Sequence, residues 1–267
     1  MKSRNKLSFL ALLLSFMISP AFVAAPPEKK VTTKALYSYF NQKTGELVLK
    51  GNAVVEREDI QLSADEIFYN NDKKEAYATG NVKLNHVDFI LESGQLRLYL
   101  KGNRYLEQMM EKDMVMIAQK HPKLTEKMKE NGQYSQITAV EIKFYKGSEK
   151  IEAFENVKMV QMMHDGLKSK EETVVLGDFM EYKSSDRLAR VKGNVKLDSK
   201  DLGARGERLI YYQGQSKFYM IGDAHVFQYD AQGKVKDTIS GNKILHFLKE
   251  KRTILMGNIE GSLEMED

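Results

Sequence analysis

The side chains able to do acid–base, metal or nucleophilic chemistry are present in this chain, but they are not spaced for it. The five histidines, His86, His121, His164, His225 and His246, are scattered, and no two stand at the H-x-x-x-H spacing that sets a pair of imidazoles on one helical face. There is no G-x-S-x-G nucleophile elbow and no P-loop. Adjacent acids occur, as in Asp65-Glu66, at strand corners where a solvated or capping role accounts for them. A carbohydrate-cleaving mechanism needs two acids facing one another across the scissile bond. The positions that recur along this chain carry small and apolar residues instead. Cysteine is absent, which excludes thiol chemistry, a cysteine-based metal site and disulfide staples. No catalytic residue, metal ligand or cofactor is therefore assigned.

The elements that carry these residues repeat. Five copies of a Gly/Glu-Asn/Asp-apolar triplet occur: Gly80-Asn81-Val82, Glu155-Asn156-Val157, Gly193-Asn194-Val195, Gly222-Asp223-Ala224 and Gly257-Asn258-Ile259. Sixteen residues before each stands a small residue, Ala64, Ala139, Gly177, Gly206 or Gly241. Three residues after each small one is an apolar residue (Ile67, Ile142, Met180, Leu209, Ile244), and two further on a ring (Tyr69, Phe144, Tyr182, Tyr211, His246). A weaker copy runs from Ala35 to Gly51-Asn52-Ala53. Self-similarity at a fixed internal spacing marks a repeated supersecondary unit.

Each unit reads as two strands joined by a polar turn. Leu62–Tyr69 forms the first strand, the turn runs over residues 70–74, and Ala76–Leu84 forms the second. In the second strand Ala76, Ala78, Gly80, Val82 and Leu84 share one face, while Thr79, Asn81 and Lys83 take the other, the period-2 alternation of a half-buried strand. Starts of successive units vary in separation, which suits a stack of antiparallel hairpins whose surface loops differ in length. The expected fold is all-β, a stack of repeated antiparallel strand pairs, with a short helical insertion at 102–134. There Leu106, Met109, Met110, Met114 and Ile117 fall at helical spacing up to Pro122, and Leu124 to Lys129 reads as a second short helix. Five of the fourteen methionines lie in this insertion, which gives it an adaptable apolar face. It reads as a cover for part of the sheet or as a gate.

The first residues have the layout of an export signal. Lys2, Arg4 and Lys6 precede an uncharged run, Leu7 to Ile18, that is too short to span a bilayer as a helix, and small residues follow up to Ala25. Residues 1–25 are expected to be a cleavable signal peptide, with Ala21 as the other cleavage point and an uncleaved anchor as the other reading. Three of the 41 Lys and Arg residues lie in this segment and none of the 37 Asp and Glu, so the remainder of the chain is close to neutral. That removes the case for a strongly basic nucleic-acid binder.

Gly51-Asn-Ala-Val-Val-Glu56, Leu62-Ser-Ala-Asp-Glu-Ile-Phe-Tyr69 and Ala76-Tyr-Ala-Thr-Gly-Asn-Val-Lys-Leu84 together resemble the organic-solvent-tolerance (OstA) domain, the LptA/OstA family of lipopolysaccharide transport. The resemblance is strongest over 35–100, recurs over 137–262 and leaves out 102–134. It implies a twisted β-jellyroll, open at both ends, whose apolar groove shields acyl chains. It also implies a periplasmic location, binding of lipopolysaccharide or a related glycolipid, head-to-tail homo-oligomers, and a bridge between inner-membrane and outer-membrane components. Groove-lining positions are then expected at Leu62, Ala64, Ile67, Ala76, Ala78, Val82, Ile142, Phe144, Met180, Leu209, Tyr211, Met220 and Ile244. A closed, dry core is the other reading of these positions. A β-helical carbohydrate-active enzyme and a structural scaffold of the cell envelope are the rival functions.

Overall fold

The computed structural model describes residues 32–262, apart from 58–59, 112, 129–131, 165–168, 184, 213–214, 231, 249, 251 and 259. The expected signal peptide, residues 1–25, lies outside the described residues. The chain is built of strands: β1 (Thr32–Lys34), β2 (Tyr37–Asn41), β3 (Glu46–Arg57), β4 (Ile60–Asn70), β5 (Glu75–His86), β6 (Phe89–Tyr99), β7 (Val115–Gln119), β8 (Lys123–Glu126), β9 (Gln133–Thr138), β10 (Glu141–Tyr145), β11 (Lys150–His164), β12 (Ser169–Lys183), β13 (Leu188–Ser199), β14 (Leu202–Tyr212), β15 (Lys217–Tyr229), β16 (Val235–Phe247), β17 (Arg252–Met256) and β18 (Glu260–Ser262). Among the described residues one helix, α1 (Arg104–Gln108), interrupts them.

The architecture is thus all-β, with antiparallel neighbours in sequence order. Contacts divide the chain into two units. The first comprises the residues up to Pro122 with Tyr145–Gly147, and the second comprises Lys123–Phe144 and the residues from Ser148 on. In the first, β3 through β7 pair in succession. In the second, β11 through β17 do so, with β9 on the other flank of β11.

The strands owe their length to the repeat. Alternate strands carry a bulge at the Gly-Asn pair, where two successive residues adopt positive φ: Gly80 (72°) and Asn81 (47°), Gly193 (77°) and Asn194 (47°), Gly222 (77°) and Asp223 (43°). Glu155 (60°) and Asn156 (51°) do the same without glycine. The ladder register shifts at each, as between Phe154 and Val157 or Lys192 and Val195. A bulge bends a strand and increases its twist, so each long strand turns a corner and goes on. Ala53, Val82, Val157, Val195 and Ala224, which follow the bulged pairs, return to the core and are buried. The sixteen-residue spacing is therefore the path from one corner, around a hairpin, to the neighbouring strand's corner.

The insertion differs from expectation. The helix ends at Gln108, its cap at Met109 is followed by Met110 at φ 55°, and Met114 and Ile117 belong to no helix. Residues 115–119 are instead a strand paired with β6, Val115 opposite Tyr99 and Gln119 opposite Gln95. Val115, Met116, Ile117 and Ala118 are all buried, so the strand has no polar alternation, and such a run cannot be told from a helix by period. Leu106, Val115, Ile117 and Tyr145 bury one another, with Tyr99 and Tyr105 packed alongside. The second predicted helix, Leu124 to Lys129, is the strand β8 over its described start, paired with β9 through Lys123–Thr138 and Leu124–Ile137.

Candidate functional site

The inward faces of the strands form continuous apolar rows. In the first unit Leu49, Ile67, Ala78, Leu96 and Ala118 stand in direct register across β3 to β7. Below them lie Leu47, Tyr69, Ala76, Leu98 and Met116. Past the bulge, Val55, Leu62, Leu84 and Leu91 form another row. In the second unit Ala153, Met180, Val191, Leu209, Met220, Ile244 and Leu255 are in register across seven strands. The row beside it is Ile151, Tyr182, Ala189, Tyr211, Phe218, His246 and Thr253.

Nine of the thirteen expected lining residues fall into these rows; Ala64, Val82, Ile142 and Phe144 do not. Met180, Leu209, Met220 and Ile244 share one row and are almost wholly buried, at 0–2% exposure. Ile67 and Ala78 are direct partners, and Leu62, Ala64, Val82 and Ile142 are buried as well. Ala76, Phe144 and Tyr211 are half-buried. Val191, Ala189, Phe218, Leu49, Leu96 and Leu98 belong to the same rows but were not expected. Period-2 alternation from Met220 would have found Phe218.

The second row has a polar edge. Burial raises the pKa of Tyr211 and, with help from Glu126, that of Tyr182, so both phenols stay protonated. Burial lowers the pKa of His246, whose Nδ1 lies 3.0 Å from Thr253 Oγ1 and whose ring lies 5.3 Å from that of Phe218. Tyr69, in the first unit, is pushed up to about 12 by burial and the nearby Asp72 carboxylate. These groups are uncharged at neutral pH, so the rows combine buried apolar side chains with neutral hydrogen-bonding tips.

The side chains that could have done chemistry are engaged elsewhere. Asp65 accepts two hydrogen bonds from Asn81, and Glu66 pairs with Lys50 at 3.0 Å. His225 lies 3.1 Å from Asp223, and His86 is 3.4 Å from Asp88. Among the described residues no three of His, Asp and Glu converge as a metal site would require.

A set of structural residues went unnoticed in the sequence. The residue after each small one, Leu36, Asp65, Val140, Asp178, Glu207 or Asn242, sits against the bulge of the next strand. A Cβ on Gly80, Gly193 or Gly222 would collide with the carboxylate of Asp65, Asp178 or Glu207 respectively. Asn194 donates to Asp178 at 3.0 Å, and Val140 N donates to Phe154 O and Glu155 O, each at 3.1 Å. The signal was available, since four of those six residues are polar.

Residues 177–252 match the family model described as LptA/(LptD N-terminal domain) LPS transport protein. No curated protein matches the sequence. Among solved structures, the chain is similar to LptH, the LptA homologous periplasmic component of the lipopolysaccharide transport device of Pseudomonas aeruginosa. Identity is 11%, the TM-score is 0.44, and the match covers 54% of this chain and 96% of that one.

Proposed function

We propose that this chain, which is LptA/OstA-like and matches that family's model over 177–252, is a periplasmic carrier that shields the acyl chains of lipopolysaccharide or a related glycolipid along its inward rows. The observation that supports this most is the register of Met180, Leu209, Met220 and Ile244, apolar side chains on one inner face repeated strand by strand. Each buried CH₂ contributes ~0.8 kcal/mol, so an acyl chain of about a dozen carbons costs on the order of 10 kcal/mol to leave in water. A row of near-equivalent apolar positions offsets that cost at each step and creates no single deep trap. The reaction this requires is transfer, with no bond made or broken.

Met180 and Met220 suit the task because the thioether side chain is unbranched and adapts to varied neighbours. The neutral tips at Tyr182, Tyr211 and His246 give a lipid's ester or amide groups hydrogen-bonding partners without charge. The first strands, with Tyr37 and Tyr39 exposed, and the last, with Ile254 exposed, are where we assign head-to-tail strand addition between copies and to the membrane components at either end.

A photo-crosslinking residue in place of Leu209, Met220 or Tyr211 is expected to capture glycolipid in cells, and the same residue at Thr79 or Lys83 is not. Capture from the outward positions alone, with the protein folded, overturns the reading.

A further inference from the structure

On the outer face of the second unit two pairs of cations stand directly opposite one another on β13 and β14. Lys196 is in register with Arg205, and Lys192 with Arg208. Arg205 is in turn in register with His225 on β15. Like charges facing one another across strands destabilise a sheet, and neither Lys196 nor Arg205 has a carboxylate within ion-pair distance among the described residues. The two pairs flank the bulge at Gly193-Asn194, and the chain opens there into a cleft of about 480 Å³. Lys196, Arg205 and His225 line it together with Phe227 and the acids Glu207 and Asp223.

The cleft is shaped by the corner. Gly206 lies on its wall, and a Cβ there would point inward and meet Met220 at 2.8 Å, so the corner beneath the cleft requires glycine. The Arg205 guanidinium lies over the Phe227 ring at 5.5 Å. Stacking of this kind fixes the plane of the group and leaves its N–H donors pointing past the ring. His225 stacks beside Phe227 with only 8° between the ring planes and leans on Asp223 at 3.1 Å. Glu207 packs against Gly222, and Asp223 is almost fully exposed.

We propose that this cleft binds a phosphorylated saccharide: the phosphate lies between Lys196 and Arg205, and the sugar hydroxyls donate to Glu207 and Asp223. A bare anion would gain from the cations and lose to the two carboxylates. A neutral sugar would leave the cation pair uncompensated. A ligand carrying one phosphate and several hydroxyls satisfies both walls. In combination with the function proposed above, on which the identity of the carrier molecule rests, this is a head-group contact on the outside of a protein whose acyl contacts are inside.

The test is calorimetric titration of the full chain with glucosamine 6-phosphate, glucosamine and inorganic phosphate. Glucosamine 6-phosphate is expected to bind saturably and at least tenfold more tightly than either of the others. Lys196→Glu and Arg205→Glu are each expected to weaken it at least tenfold. Lys196→Glu, which turns a like-charge pair into an opposite-charge one, is expected to raise the midpoint of thermal unfolding, so loss of binding is not loss of fold. Inorganic phosphate binding as well as the sugar phosphate overturns the proposal, as does binding unchanged in both variants. Glycolipid capture at Leu209 with no sugar-phosphate binding sinks this inference and leaves the carrier reading standing. Sugar-phosphate binding without capture does the reverse.

Discussion

Asn81 donates through Nδ2 to both carboxylate oxygens of Asp65, sixteen residues earlier, at 3.2 and 3.1 Å, and Asn194 donates to Asp178 Oδ2, also sixteen residues earlier, at 3.0 Å. In each case the acceptor fills the space that a side chain on the preceding glycine would need. The recurring sixteen is thus a contact as well as a spacing: an acid on one strand closes the corner of the next.

The first prediction follows for Gly193, which has φ +77° and Asp178 Cβ 2.8 Å from where its own Cβ would stand. Gly193→Ala is expected to cost about 1–3 kcal/mol in denaturant unfolding, from the positive φ and the crowding. Asp178→Ala alone loses an exposed hydrogen bond, about 0.5–1 kcal/mol. The double variant should be more stable than the sum of the two by at least ~0.5 kcal/mol, because the carboxylate that obstructs the new methyl is gone. Strict additivity would show that the acid does not close the corner.

A second prediction concerns the inner row. Leu209 is packed in register between Val191 and Met220. Leu209→Ala is expected to destabilise by about 2–5 kcal/mol and Ile244→Val by about 0.5–1.5 kcal/mol, the range for methylene deletion in a close-packed interior. Chemical denaturation of the lipid-free protein measures both. A cost under about 1 kcal/mol for Leu209→Ala would mean that the row is not tightly packed when empty.

Much of this was legible in the chain. Period-2 alternation set Ala78 and Val82 on the inner face, and the repeat aligned Met180, Leu209 and Ile244 before any register was known. The corners were visible as recurring Gly-Asn pairs. Other features required tertiary partners. Val115–Ala118 reads like a helix because both of its faces are buried, and only pairing with β6 makes it a strand. The corner at Lys120 and His121, both at positive φ, carries no glycine, and its partner Gly94 lies far away in sequence, joined by Gly94 N donating to Lys120 O at 2.9 Å. The Lys196–Arg205 pair is invisible until the register of β13 and β14 is fixed, since eight residues, a turn among them, separate the two.

The third prediction uses Asn103, a buried polar residue at the start of α1. Its Oδ1 accepts from Tyr105 N at 2.7 Å, and its Nδ2 donates to Lys73 O at 2.6 Å, tying the helix to the turn between β4 and β5. Asn103→Ala removes the cap and leaves the Lys73 carbonyl without that donor, at about 1–3 kcal/mol. Asn103→Asp keeps the cap but sets a carboxylate against the carbonyl. It is expected to be no better than Ala, whereas a surface cap would tolerate Asp fully. Unfolding midpoints of the two variants decide the point.

The last prediction is a pH dependence. His246 is buried beside Phe218, and burial lowers its pKa below the ordinary value of 6.5. The folded protein therefore holds the imidazole neutral while the unfolded chain takes up a proton as pH falls through about 6.5. The unfolded state binds more protons in that window, so stability is full above it and declines as pH drops from 6.5 toward the lower folded pKa. His246→Phe abolishes this contribution, since the ring is retained and the titration is not. The unfolding midpoint of the parent is expected to fall between pH 7.5 and about 5.5, and that of His246→Phe to fall less over the same range. Parallel curves would mean that the imidazole accepts its proton in the fold, and that the inner row tolerates a charge which its apolar neighbours ought to exclude.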